Sequence, residues 1–501
     1  IDSLLGTHAT VSLELPGDKL RYFDGVVVAT GIDGAHGRRV QFRLVLRPWL
    51  WLLTRRADTR IFQNKSVKDI LTTVFDAFKN DVKFELSGSY SPIEYCVQYR
   101  ETDFNFVSRL MEQEGIYYYF THEAGRHVAV FVDSSNAHKP YAGFADIAFV
   151  ESVDAGTDVE AITQWRTHNE VQSSKVTLND YNFTTPKTDL TESADTVLKK
   201  PAGALDVYDP PGDYGKAGDG SRYAKLRMQE IEARHLRIYG AGNVRGVAVG
   251  HRFKLKEHPL KKQNEAHLVI SSRIDVTHPG YESGLDTAHF SCSFTAIPAS
   301  ETFRAQRVTP KPVVPGPQTA VVVGKKGEEI WTDSYGRIKV QFHWDRLGKK
   351  DENSSCWVRV AHAVAGKGYG MIALPRMGQE VVVEFLEGDP DRPLVTGGVY
   401  NADQTVPYEL PDNKTVWTAK SRSSKGGSDT NFNELRFQDE KGSEHVWFQA
   451  EKDYFLLVKH DAWSHVTNNQ FHSVDKNLEE EIDENVQRTI GKDLKEKIGA
   501  K

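Results

Sequence analysis

The sequence predicts a mainly β chain with a few helices. Three observations carry that expectation. Short segments alternate apolar and polar residues with a period of two, as in VSLEL (Val11 to Leu15) and on Phe42, Leu44 and Leu46. Strand-like runs separated by turns crowd the region from Ala320 to Tyr400. Near the end, Val458, Val466, Val474, Ile482, Ile490 and Ile498 lie eight residues apart.

Length and composition bound the answer. A chain of 501 residues implies roughly three domains. With 39% apolar and 26% charged residues, each domain can have a core. A net charge of −6 argues against a general nucleic-acid or anionic-membrane binder. The longest apolar run, PWLWLL (Pro48 to Leu53), falls far short of the ~20 residues a membrane span needs. The opening residues lack a signal peptide's basic start and apolar core, and the first is not Met, as in a fragment. Cys96, Cys292 and Cys356 are few, odd in number and far apart, which fits a reducing cytoplasm without a disulfide framework.

The first three hundred residues read as strands interrupted by helices. Val67, Ile70, Leu71, Val74, Phe75 and Phe78 mark one helical face, with Ser66 as its N-cap. A second helix starts at Thr102 or Asp103 and stops at Gly115. A third is expected over Arg222 to Arg237. Four prolines between Pro310 and Pro317 then mark a linker. The runs AVVVG, GRIKVQFHW, CWVRVAH, GMIALP, EVVVEFLEG and PLVTGGVY predict a small Greek-key barrel of the OB type. A polar connector follows, and NELRFQD, EHVWFQA and DYFLLVKH return to strand.

The tail has two readings. Leu478, Ile482, Val486 and Ile490 form one stripe on a helix, and its Glu- and Lys-rich flanks suit a helix surface. The eight-residue period does not suit a helix, because it drifts around the axis by about 80° per repeat. An even period keeps every repeated residue on one face of extended chain, as in a solenoid, with Gly491 and Gly499 at tight turns. Six Val or Ile side chains cannot offset the entropy of ordering so long a segment. The β reading therefore requires intertwined copies. On these residues alone both readings stay open.

Candidate chemistry is weak. His122, Glu123 and His127 lack the two-histidine spacing of a zinc helix and sit in an expected hairpin turn. Cys356 and His362 share a strand face but lie too far apart for a nucleophile and base. GKGYG and GAGNVRG precede strands and lack the phosphate-loop ending, so they read as turns. EGDPDRP carries Glu387, Asp389 and Asp391 in an acidic turn that is poor for calcium. A rival reading, a cell-wall hydrolase using the barrel as a sugar platform, has Glu387 and Asp391 as its nearest carboxylates. No G-x-S-x-G occurs, and His460, His465 and His472 lack metal spacing. No enzyme, cofactor or metal is expected.

The run from Thr332 to Asn401, TDSYGRIKVQFHW through PLVTGGVYN, resembles VgrG, the spike family of bacterial type VI secretion systems. Lys420 to Gly427 (KSRSSKGG), Asn433 to Asp461, Tyr99 to Phe120 and Gly250 to Pro259 extend the resemblance over nearly the whole chain. Family tails repeat glycine in their octads, whereas here only Gly491 and Gly499 do so. VgrG is similar to the hub and spike proteins of contractile phage tails joined in one chain. The resemblance implies a hub-like domain of two barrel-like halves over 1–300, a linker at 301–319 and an OB barrel at 320–401. A connector at 402–432 and a triple-stranded β-helix over 433–501 would follow. It implies a homotrimer stacked on a hexameric Hcp tube, with baseplate components, a PAAR-repeat tip protein and secreted effectors as partners. Assembly would take place in the bacterial cytoplasm. Injection would follow, with transient contact with a target membrane. A contractile phage baseplate spike is the alternative with the same mechanics.

Overall fold

The computed structural model describes residues 2–36, 39–152, 159–198, 203, 205–278 and 289–499. The chain divides into two compact units, Ile1–Pro407 and Tyr408–Lys501. Among the described residues, no helix is long and apolar enough to cross a membrane.

Among the described residues the first unit is mainly β with three α-helices. Helix α1 (Val67–Val74) begins at a capping box in which Ser66 and Asp69 satisfy each other's backbone N–H groups. Helix α2 (Asp103–Glu114) is capped by Thr102 and ended by Gly115, which adopts the left-handed region at φ 72°. Both helices bury their apolar stripes in one core, around Trp49, Leu71, Phe75, Phe106 and Phe131. A second core lies on a six-stranded sheet. Its order is Ile162–Asn169, Leu236–Gly242, His289–Pro298, Ala266–Thr277, Arg252–Lys256 and Asp146–Ala148. Ile162, Ile238, Phe253, Leu255 and Phe294 fill it. Helix α3 (Ala217–Glu232) begins and ends five residues earlier than the sequence predicts. Of the two glycines in its first turns, Gly220 is required, because a Cβ there would stand 2.4 Å from the Tyr214 ring, whereas a Cβ on Gly218 would meet nothing within 4 Å. Its end comes early because Leu236–Gly242 is claimed by the six-stranded sheet.

The proline-rich segment has no regular structure, yet it is not a loose tether. Arg304 donates to the carbonyls of Gly115 at 2.9 Å and Asp133 at 2.6 Å. The Glu112 carboxylate accepts from the backbone N–H groups of Val308 at 3.0 Å and Thr309 at 2.9 Å. The segment leads into a five-stranded sheet ordered Lys339–Phe342, Gln318–Val323, Glu380–Phe385, Pro393–Val399 and Arg359–Val360. Tyr95, Val97 and Tyr99 from an earlier strand pack into the same core as Val322, Val340, Val383 and Val395.

Two expected barrel strands shrink. CWVRVAH keeps only Arg359–Val360 in the sheet. Beyond Gly370, GMIALP forms no strand: Met371 and Ile372 have no partner strand and are 66% and 71% exposed. GKGYG is a turn, between Ala365–Gly366 and Tyr369–Gly370.

The second unit opens with an antiparallel sheet of Val416–Lys420, Glu434–Gln438 and His445–Gln449. Its first strand falls inside the expected connector. Val416, Thr418 and Lys420 find register partners in Gln438, Arg436 and Glu434, which a free polar linker would not. From residue 451 to 499 the chain forms no helix, joins no sheet and is exposed throughout. Leu478 to Asn485 is not helical.

Candidate functional site: an octad stem with an open apolar face

The extended tail bends at 459–460, 467–468, 475–476, 483–484 and 491–492, every eight residues. Val458, Val466, Val474, Ile482 and Ile490 each occupy the position just before a bend. They are 42–54% exposed, the least of the tail's large apolar residues, while Ile498 at the described end is 87% exposed. Gly491 sits in a bend and Gly499 at the equivalent place one repeat later. Neither has a left-handed backbone, and a Cβ on either would meet nothing within 4 Å. Lys459, Thr467, Asp475 and Asp483 fill the same place in earlier repeats, so this bend does not demand glycine.

The same eight-residue ruler exposes signals that sequence reasoning missed. Tyr454, Leu478, Val486 and Leu494 stand four residues before repeat positions, which widens the apolar face. Asp461, Asn469, Asn477, Asn485 and Asp493 recur three residues after them, as turn formers. Charges alternate in sign along two columns, Lys476, Glu484, Lys492 and Glu480, Arg488, Glu496. On a helix, Glu480 with Glu484 and Arg488 with Lys492 would be repelling neighbours. A helix would also set Lys476 beside Glu480, Glu484 beside Arg488 and Lys492 beside Glu496 as attracting neighbours, whereas octads set one above another would bring only opposite charges into succession along each column.

The sheet before the stem is anchored by Glu434. Its carboxylate accepts from the hydroxyls of Tyr408 at 2.5 Å and Thr418 at 2.7 Å. Burial pushes this carboxyl up, but those hydrogen bonds and the nearby Arg436 and Lys420 hold it below its ordinary range.

Asp391, Glu387 and Cys356 of the first unit are tied into the fold. Lys311 reaches Asp389 at 2.8 Å, Asp391 at 2.9 Å and Asp213 at 3.7 Å. The other Asp391 oxygen accepts from the Val97 N–H at 2.6 Å. Asp391 therefore clasps the proline-rich segment and the barrel to the helical half, and both its oxygens are engaged. Glu387 shapes the turn, with a left-handed φ of 54°. Cys356 is buried in the barrel core, where burial pushes its thiol up to about 12, so no nucleophilic thiolate forms near neutrality.

His127, Asp24 and His8 come together as metal ligands would. Their hydrogen bonds assign them another role. His127 Nε2 accepts from the Trp49 N–H at 2.7 Å, which places its proton on Nδ1. That proton is donated to Asp24 Oδ2 at 2.7 Å, so both ring nitrogens of His127 are engaged within the fold. Asp24 also bonds His8 at 2.9 Å and accepts from Thr10 at 2.8 Å. Its backbone N–H donates to His122 Nδ1 at 3.2 Å. Burial raises the Asp24 carboxyl, but the bonds from His127, His8 and Thr10 outweigh it and keep the group ionised.

Family models match three parts of the chain. Residues 1–280 match the phage tail baseplate hub, residues 318–400 the type VI secretion system/phage-baseplate injector OB domain, and residues 417–501 the bacteriophage T4 gp5 C-terminal trimerisation domain. The type VI secretion system spike protein VgrG1a of Pseudomonas aeruginosa is 48% identical over 465 residues, covering 92% of this chain and 72% of the relative. The chain belongs to the VgrG family of type VI secretion spike proteins. A second VgrG from that organism, VgrG1b, is 46% identical over 478 residues, covering 95% of this chain and 64% of its own length. The VgrG fold extends to a solved Escherichia coli protein, c3393. It aligns with a TM-score of 0.55 at 20% identity, over 79% of this chain and 88% of that one. Its description gives it as a type VI secretion component similar in structure to T4 tail proteins gp27 and gp5.

Proposed function

We propose that three copies of this chain form the spike at the tip of a type VI secretion tube. The observation that carries this reading is the stem, whose repeated Val and Ile face is open in one chain. Three intertwined copies would bury that face and leave no free sheet edge. The function is then mechanical. A closed prism transmits the thrust of a contracting sheath without bending, and it needs no catalytic group. The first unit would form the hub that sits on a hexameric Hcp tube. A PAAR-repeat tip protein, baseplate components and effectors are the other partners, with passing contact with the target membrane. Assembly would precede injection from the bacterial cytoplasm.

The relatives favour a secretion spike over a phage baseplate spike. The engagement of Asp391 by Lys311 and Val97 counts against a glycoside hydrolase. A low-resolution image of the purified chain tests the proposal. A threefold particle bearing a needle supports it, and isolated single copies at micromolar concentration would refute it.

A further inference from the structure

The stem carries a second periodic feature, on the face opposite its Val and Ile. Phe455, Trp463 and Phe471 each stand three residues before a repeat position, and they are 89%, 94% and 95% exposed. An odd offset in extended chain turns a side chain to the other face. When the Val and Ile column faces the trimer interior, these rings face outward. Glu479, Gln487 and Lys495 take the same place in later repeats, so the aromatic ladder is confined to the first three.

The ladder lies largely within a neutral stretch. From Ala462 to Val474 the chain has no Asp, Glu, Lys or Arg, whereas residues 475 to 499 carry thirteen. By the same parity His465 and Ser473 share the face of the rings, and the amides of Asn468 and Asn469 lie at the bend between Trp463 and Phe471. Nucleic acid and anionic lipid recognition need clustered cations, and this stretch has none. A lipid interior would strand the amides without hydrogen-bond partners. A protein hot spot would gather its aromatics into one desolvated pocket, whereas these rings recur singly at a fixed interval. We infer that this band binds an uncharged pyranose polysaccharide. Ring faces would stack on the C–H faces of successive sugars, and the amides and hydroxyls would meet the sugar hydroxyls. A repeating polymer matches a repeating ladder, and neutrality of the band matches neutrality of the ligand.

The test uses the full chain and two probes, chitohexaose and maltohexaose, titrated by calorimetry. At least one should bind, with an affinity unchanged in 1 M NaCl. Trp463→Ala with Phe471→Ala should weaken binding at least tenfold while the sedimenting mass stays the same. Trp463→Tyr should retain it. Failure of both sugars to bind the parent chain overturns the proposal, as does equal binding by the double variant. Binding only to phosphatidylcholine vesicles, or capture of a protein without any sugar binding, also overturns it. Should the double variant lose its assembly, acrylamide quenching still decides. Subtracting the Trp463→Phe signal isolates Trp463, and a ring shielded from quencher in the free assembly would refute the outward placement.

Discussion

The first unit and the stem both set their apolar residues at even intervals, two in the one and four or eight in the other, yet they end in opposite states. In the first unit Val322, Val340, Val383 and Val395 are buried because neighbouring strands of the same chain cover them. In the stem Val458, Val466 and Val474 remain exposed because no segment of the same chain returns to pair with them. An even period states which face seeks cover, but it does not state who supplies it. The first unit has one region that behaves like the stem. Phe42 pairs with Ile32 across two long strands, and both apolar side chains stay exposed.

The comparison breaks most visibly if one stem residue is made charged. Ile482→Asp should remove the stem's assembly, since an unpaired buried charge costs about 3–5 kcal/mol per chain. Limited proteolysis should then clip the region after 450 while the first unit's thermal midpoint stays put. A stem that remained protease-resistant would place Ile482 outside the buried column. The reciprocal change acts only on the first unit. Lys311→Ala leaves the buried Asp391 without its ion-pair partner, while Asp389 keeps Arg392 at 3.7 Å, at a cost of roughly 3 kcal/mol in urea denaturation. The stem's assembly should be untouched, and a loss below about 0.5 kcal/mol would show that the clasp holds little.

Acid gives a smaller effect, again in the first unit. His122, His138, His251 and His267 are each held below the ordinary 6.5, first by burial. The folded unit resists a proton that the unfolded chain accepts. Stability is therefore full above pH 6.5 and falls as the pH drops below it. The thermal midpoint should be lower at about pH 5.5 than at about pH 7.5, and a flat profile would contradict the buried neutral state. The smallest effect is in the stem. Exposed ion pairs contribute about 0.2–1 kcal/mol each, so 1 M salt should slightly lower its melting point. Glu484→Lys should weaken it further, and adding Lys476→Glu with Lys492→Glu should restore it. No rescue would mean that the alternating columns do not stack.

Much of this was legible in the sequence for local reasons. Ser66 as a cap and Gly115 as a stop depend only on near neighbours, and both read correctly; the eight-residue ruler from Val458 likewise needs no distant partner to be seen. Long-range contacts were not legible. Nothing near His127 announces Asp24 and His8, and nothing near Asp391 announces Lys311 or Val97. Helix α3 was misplaced because Gly218 and Gly220 look like helix breakers until Tyr214 is packed against the second. The tail's charges were visible but were measured with a helix's spacing, which hid their alternation.

The mass of the particle in solution tests the central claim most directly. Sedimentation equilibrium of the full chain should give three times the 56.4 kDa chain mass. A monodisperse species at 56.4 kDa would contradict an open stem face that only other copies can close.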